Sequence, residues 1–304
     1  MTLKQTSLII LLSALLSACA PAATPTAQPQ TGITPTPTIL VTEERPTPTN
    51  VPLPPEPSPA AEGTPTALAP LPPEPQQVDF ETEDGTLLAG TYYPAATNPA
   101  PVVVLMHWAR GDQKDWAAIA PWLQNRGVTA DTAAEGTPWL DASWFPPMPA
   151  DRAYAVFTFT FRGCEGSCSD FNQEGWLNDA RAAMRTVQGL PGVDPMRVVA
   201  IGASIGSDGA ADACEEGCLG SFSISPGGYL TIAYADAVSA LEGKPAWCLA
   251  AEGDGKSAET CRAASGAAYT MQIYPGGDHG MQLLQPSTEP NVLQLMLDFL
   301  AATL

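Results

Sequence analysis

Three stretches of this chain differ in how apolar and polar positions follow one another. Residues 8–16 form a short apolar run, residues 20–77 show no helical or strand period, and residues 78–304 alternate between strand-like and helix-like segments. In the last stretch, 78–82 and 87–93 read as strands flanking Glu83-Asp84-Gly85-Thr86, a hairpin signal. The continuous apolar run at 101–107 fits a strand buried on both faces. Asp115 can cap a helix from Trp116 to about Asn125. Residues 154–161 predict a strand, and 176–188 an amphipathic helix stopped by Gly189 and Pro191. Asp194-Pro195 turns into a strand at 197–201, which runs through Gly202-Ala203-Ser204-Ile205-Gly206 into a helix-compatible 207–214. Further strands are expected at 221–225, 245–251 and 268–274. A closing helix at 291–303 places Val292, Leu295, Met296, Phe299 and Leu300 on its apolar side. Strands alternating with helices predict an α/β fold, a mostly parallel sheet with helices on both faces.

The first 19 residues read as a targeting segment. Lys4 precedes the apolar run, which is too short to cross a bilayer. Leu16-Ser17-Ala18-Cys19 resembles a bacterial lipobox. The resemblance implies cleavage before Cys19, lipidation of its thiol, and an exported protein anchored to the outer face of a bacterial membrane. A plain secretory signal with an incidental cysteine is the alternative. Residues 20–77 read as a Pro/Thr-rich disordered spacer, with Thr34-Pro-Thr-Pro-Thr38 typical of it. At about 3.1 Å per residue it could hold residues 78–304 on the order of 100 Å from the anchor.

Charge narrows the partners. A net charge of −19 with 13 basic residues argues against nucleic-acid binding and against docking on anionic lipid through a basic face. The six cysteines after Cys19 are even in number behind a signal segment, which points to disulfides. Local spacing favours Cys164–Cys168, Cys214–Cys218 and Cys248–Cys261. A metal site from the two Cys-x₃-Cys pairs competes, but neither pair has a histidine nearby.

The strand-to-helix turn at 202–206 is the centre of the chemistry. A serine on such a turn projects its hydroxyl above the sheet edge, and flanking glycines permit close approach. The helix that follows supplies N–H donors where an oxyanion would form. Ser204 needs a base, and the chain has two histidines. His279 lies in a Gly-rich loop after the last strand, at the same sheet edge as Ser204. His107 lies upstream, where the base of this order does not belong. Asp254 is the first choice for the orienting acid, with Glu252 the rival and Asp278 read as a turn residue. The oxyanion donors are expected to be the N–H of Ile205 and that of Ala109 or Trp108. Gly253-Asp-Gly-Lys-Ser257 looks like the end of a phosphate-binding loop, but Ala250 stands where the first glycine is needed, so nucleotide binding is excluded.

These motifs carry a resemblance over nearly all of 78–304. The turn 202–206, the His107 turn, Phe161-Arg-Gly-Cys-Glu-Gly-Ser167, Gly253-Asp254 and His279-Gly280 resemble an α/β-hydrolase, and the compact layout resembles the dienelactone-hydrolase-like branch. There are two departures: Trp108 follows His107 where glycine is usual, and Thr160 replaces a common acidic residue. The resemblance implies a serine hydrolase acting on small-molecule carboxylic esters, with neither metal nor organic cofactor. Residues 226–244 leave no room for a large lid. The aromatics of 127–150, among them Trp139, Trp144 and Phe145, read as packing, with a binding patch the minority reading. Two other functions remain at this stage, a peptidase or amidase on the same triad and a non-catalytic binding module.

Overall fold

The computed structural model describes residues 71–72, 74–126 and 141–304. The leader with Cys19, most of the spacer, and residues 127–140 with Trp139 lie outside them. Eight strands form one sheet. They are β1 (Gln76–Glu81), β2 (Leu87–Tyr93), β3 (Ala100–Met106), β4 (Ala155–Phe159), β5 (Val193–Ala203), β6 (Cys218–Ile224), β7 (Ala246–Ala251) and β8 (Tyr269–Tyr274). The spatial order is β1-β2-β4-β3-β5-β6-β7-β8. β1 and β2 form the expected hairpin and β2 pairs antiparallel with β4; every later pairing is parallel. From β3 the chain adds β4 on one side and β5 on the other. Such a reversal opens a crevice at the carboxyl ends of the strands.

Among the described residues the α-helices are α1 (Ile119–Leu123), α2 (Gln173–Val187), α3 (Ile205–Asp212), α4 (Tyr234–Ala240), α5 (Gly255–Ala263) and α6 (Val292–Thr303). The apolar run of β3 explains the two-sided packing. Val102, Val104 and Met106 enter one core with Trp176, Ala183, Ala210 and Tyr234. Val103 and Leu105 enter the other with Ile119, Leu123, Met296 and Phe299. Each buried side chain of this kind contributes roughly 1.5–3 kcal/mol relative to exposure, so β3 is held from both faces.

Several elements differ from the sequence reading. β1 begins at Gln76, inside the stretch expected to be spacer. Asp115 caps no helix. Asp112 accepts from the Lys114 N–H at a 3₁₀ turn, Gln113–Trp116, and α1 starts without a side-chain cap. Asp115 instead accepts from the Trp108 indole N–H at 2.8 Å. β5 reaches back to Val193 because the ladder is irregular there. Ala100 faces Val193, then Val102 faces Val198, so Pro195 lies in a bulged stretch that needs no ladder N–H. α4 and α5 were not foreseen.

The cysteines pair as local spacing favoured, Cys164–Cys168, Cys214–Cys218 and Cys248–Cys261. The first closes the loop after β4, the second joins the end of α3 to β6, and the third joins β7 to α5. In the 127–150 segment, the described aromatics pack. Trp122 and Phe145 meet edge-on at 5.4 Å, and the Trp122 indole donates to the Pro146 carbonyl at 2.8 Å.

Candidate active site

Ser204 sits one residue past β5. Its N–H still donates to the Ile224 carbonyl at 2.8 Å, so the ladder holds it against β6. Its backbone then turns sharply, at φ 54° and ψ −119°, before α3 begins. Crowding explains the flanking glycines. A Cβ on Gly202 would come within 1.9 Å of the Gly206 carbonyl oxygen, and one on Gly206 within 2.3 Å of the Met106 carbonyl oxygen. The Ser207 hydroxyl donates to the Ser204 carbonyl at 2.5 Å and fixes the turn from below.

The loops after β7 and β8 meet beside this turn. The Gly253 N–H donates to the Gly276 carbonyl at 2.6 Å. Gly280 N–H donates to the Ser225 hydroxyl at 3.0 Å, and the His279 N–H to the Gln282 side-chain oxygen at 3.1 Å. These bonds bring three distant side chains into line. His279 Nδ1 lies 2.7 Å from Asp254 Oδ2, and Nε2 lies 2.8 Å from Ser204 Oγ. A carboxylate only accepts, so Nδ1 carries the proton and Nε2 is free to accept from the serine hydroxyl. Both ring nitrogens are thereby occupied, which leaves none for Asp278. Glu252 is turned away and pairs with Arg262. Ser204 is 5% exposed, so the nucleophile candidate is shielded while its partners, at 15–23%, stay near solvent.

The expected oxyanion donors lie on two segments, the start of α3 and the turn after β3. Ile205 opens α3, where the N–H has no intrahelical acceptor. On the other side, the Trp108 carbonyl accepts from His107 Nδ1 at 2.7 Å and from the Gly111 N–H at 3.3 Å. The Ala109 carbonyl accepts from the Cys168 N–H at 2.9 Å. A peptide unit is planar and trans, so holding the Trp108 carbonyl also holds the Ala109 N–H on the opposite side. The Trp108 ring is not an open pocket wall. It is buried, tied to Asp115, and packed so close to Gly280 that a Cβ there would lie 3.1 Å from it.

Sequence reasoning missed two parts of this site. His107, dismissed as a base, is fully buried and accepts from the Phe161 N–H at Nε2, 3.0 Å away. A backbone N–H must donate, so His107 is neutral with its proton on Nδ1, and burial pushes its pKa down to about 4. The His107 turn was recognised in the sequence as a motif, but this structural role of the ring itself was not. The second part is Asp208 in the first turn of α3, which is fully buried and binds the loop after β6. Nothing in Gly206-Ser-Asp-Gly209 marked that acid as inward-facing.

With the geometry in hand, known proteins place the fold. The chain is 30% identical over 142 residues to the uncharacterized protein YfhR of Escherichia coli K12, a match covering 47% of this chain and 42% of that protein. The chain thus spans less than half the length of that relative. Among solved structures it is similar to the esterase Pf2001 of Pyrococcus furiosus, at 14% identity and a TM-score of 0.53 over 76% of this chain and 93% of that one. It is also similar to the α/β hydrolase GrgF of a Penicillium species, at 11% identity and a TM-score of 0.55 over 76% of this chain and 99% of that one. No protein-family model matches. The fold is that of the α/β hydrolases.

Proposed function

We propose that the folded region is a serine hydrolase of carboxylic esters, similar to the dienelactone-hydrolase-like branch, on a protein exported and lipid-anchored through Cys19. The observation that carries the catalytic part is the aligned contact of Ser204, His279 and Asp254 at 2.8 and 2.7 Å. A binding module would have no need to keep all three in contact.

In this reading the Ser204 hydroxyl passes its proton to His279 Nε2 as its oxygen attacks the ester carbonyl. Asp254 orients the ring and stabilises the imidazolium. The Ile205 and Ala109 N–H groups receive the developing oxyanion, whose stabilisation by a single donor is worth about 3–4 kcal/mol in comparable sites. The tetrahedral intermediate collapses, His279 returns the proton to the leaving alcohol, and an acyl-Ser204 forms. A water deprotonated by the same ring releases the acid. Only α4 and short turns separate β6 from β7, so that connection carries no large lid.

The test is hydrolysis of p-nitrophenyl acetate and p-nitrophenyl butyrate by the disulfide-intact protein beside Ser204→Ala. The reading expects turnover in the wild type and a loss on the order of 10⁵-fold in the variant. Equal rates in both proteins would sink it, and a p-nitroanilide cleaved faster than the ester would favour amide hydrolysis instead.

A further inference from the structure

The helix that carries Ser204 also organises the loop facing His279. Asp208 Oδ2 accepts from the Tyr229 N–H at 2.7 Å and the Gly227 N–H at 3.3 Å, and Oδ1 from the Gly228 N–H at 3.1 Å. Three successive backbone donors around one carboxylate make an anion-binding nest, here filled from within the chain. The nest fixes the backbone from which the Tyr229 ring departs. The ring folds back over Gly227, where an added Cβ would lie 2.3 Å from a ring carbon. It makes a T-shaped contact with the His279 ring, centroids 6.3 Å apart and planes at 85°, and Lys256 Nζ sits 4.4 Å from its centroid. Tyr229 therefore stands beside His279 with three constraints on it. The ionisable groups facing Asp208 are Asp212 on its own helix, Tyr229 and Tyr234 from the chain after β6, and Lys256 from α5.

We infer that Asp208 is a positioning residue of the hydrolytic site, which holds the 227–229 loop so that Tyr229 forms the wall of the substrate pocket beside His279. The inference rests on the reading of Ser204 as nucleophile. One helix then sets both the nucleophile and the surface against which the substrate lies. A shift of the loop would change how well substrate is held before it changes the proton transfers between Ser204 and His279.

The test is a double-mutant cycle on p-nitrophenyl butyrate. Asp208→Asn and Tyr229→Ala are each expected to raise KM about fivefold with kcat held within about twofold, and the double variant to be no worse than Tyr229→Ala alone. The same cost for Asp208→Asn in the presence and absence of the Tyr229 ring overturns the inference, as does a loss confined to kcat. If Asp208→Asn does not fold, Gly227→Ala displaces the ring without altering α3 and must reproduce the KM rise; an unchanged KM overturns the inference. If the wild type cleaves no ester, the hydrolase reading fails first. Amide exchange over residues 226–230 then still decides the clamp, since it should accelerate in Asp208→Asn and is unaltered if Asp208 does not hold the loop.

Discussion

His107 Nδ1 donates to the carbonyl of its own neighbour, Trp108, at 2.7 Å. That bond fixes the Trp108–Ala109 peptide, whose Ala109 N–H is the second oxyanion donor in the proposed mechanism. His107→Leu removes it and also orphans the Phe161 N–H. The expected result is a fall in kcat of about 10²–10³ with KM changed little, as for loss of one oxyanion donor. Steady-state kinetics on p-nitrophenyl butyrate, with thermal unfolding as a control, decides it. A folded His107→Leu with wild-type kcat would remove Ala109 from the oxyanion site.

Ser204 holds a backbone conformation that side chains rarely adopt, with φ at 54° and ψ at −119°. Such positions cost about 1–3 kcal/mol, and glycine relieves most of that. Ser204→Gly should therefore be more stable than Ser204→Ala by about 1–2 kcal/mol, since both lack the hydroxyl and only alanine keeps the Cβ. Urea unfolding of the two variants measures the difference directly. Equal stability would mean the turn is unstrained.

The Phe161-Arg-Gly segment has a structural explanation. Arg162 bridges Asp84 in the hairpin turn at 2.7 Å and Asp179 on α2 at 2.7 Å, and its own N–H donates to Asp179 at 2.8 Å. Asp179 is fully buried, and burial pushes its carboxyl above the usual range. The guanidinium beside Asp84 holds that exposed carboxyl well below it. Arg162→Met leaves Asp179 buried without its cation, and the expected loss is about 3–5 kcal/mol in chemical denaturation. Adding Asp179→Asn should recover part of it. A loss below about 1 kcal/mol would class the bridge with ordinary surface pairs.

The parts of this protein that were legible in the sequence are those where sterics leave few choices. Gly202 and Gly206 tolerate no Cβ, so the turn around Ser204 announced itself. The two-sided burial of β3 was equally plain from its unbroken apolar run. Asp254 could be preferred but not secured over Glu252, because the choice depends on which carboxylate faces the β8 loop and which meets Arg262. The Asp115 cap failed because the Trp108 indole, seven residues upstream, takes that carboxylate. α4 and α5 escaped because neither has a side-chain cap bond and both are short. Their helicity comes from packing Ala237, Val238, Ala258 and Cys261 against the core. His107 and Asp208 act through backbone groups brought near only by the fold.

Asp212 gives a pH signature. It is buried, neither carboxylate oxygen has a hydrogen-bond partner among the described residues, and burial, reinforced by Asp208, pushes its pKa up to about 8. The folded state keeps that proton while the unfolded chain releases it near 3.9, so this group's contribution to stability falls as pH rises from about 4 to 8. His107 works the other way. Its pKa of about 4 lies below the unfolded value, so its contribution is lost as pH falls from about 6.5 to 4. Asp212→Asn should thus gain on the wild type by a few kcal/mol between pH 5 and 8, at roughly 1.4 kcal/mol per pH unit where only the unfolded chain is ionised. Denaturant midpoints at pH 5, 6.5 and 8 measure that gain. A difference independent of pH would show that Asp212 is already ionised in the fold.

The central claim is that Ser204 is a nucleophile activated by His279. The most direct measurement is reaction with a serine-directed fluorophosphonate, read by intact mass and peptide mapping of wild type, Ser204→Ala and His279→Ala. The account predicts one adduct per wild-type molecule, on Ser204. It predicts none on Ser204→Ala, and labelling slowed by at least about 10³-fold on His279→Ala. An unlabelled, folded wild type, or an adduct that survives Ser204→Ala, would contradict it.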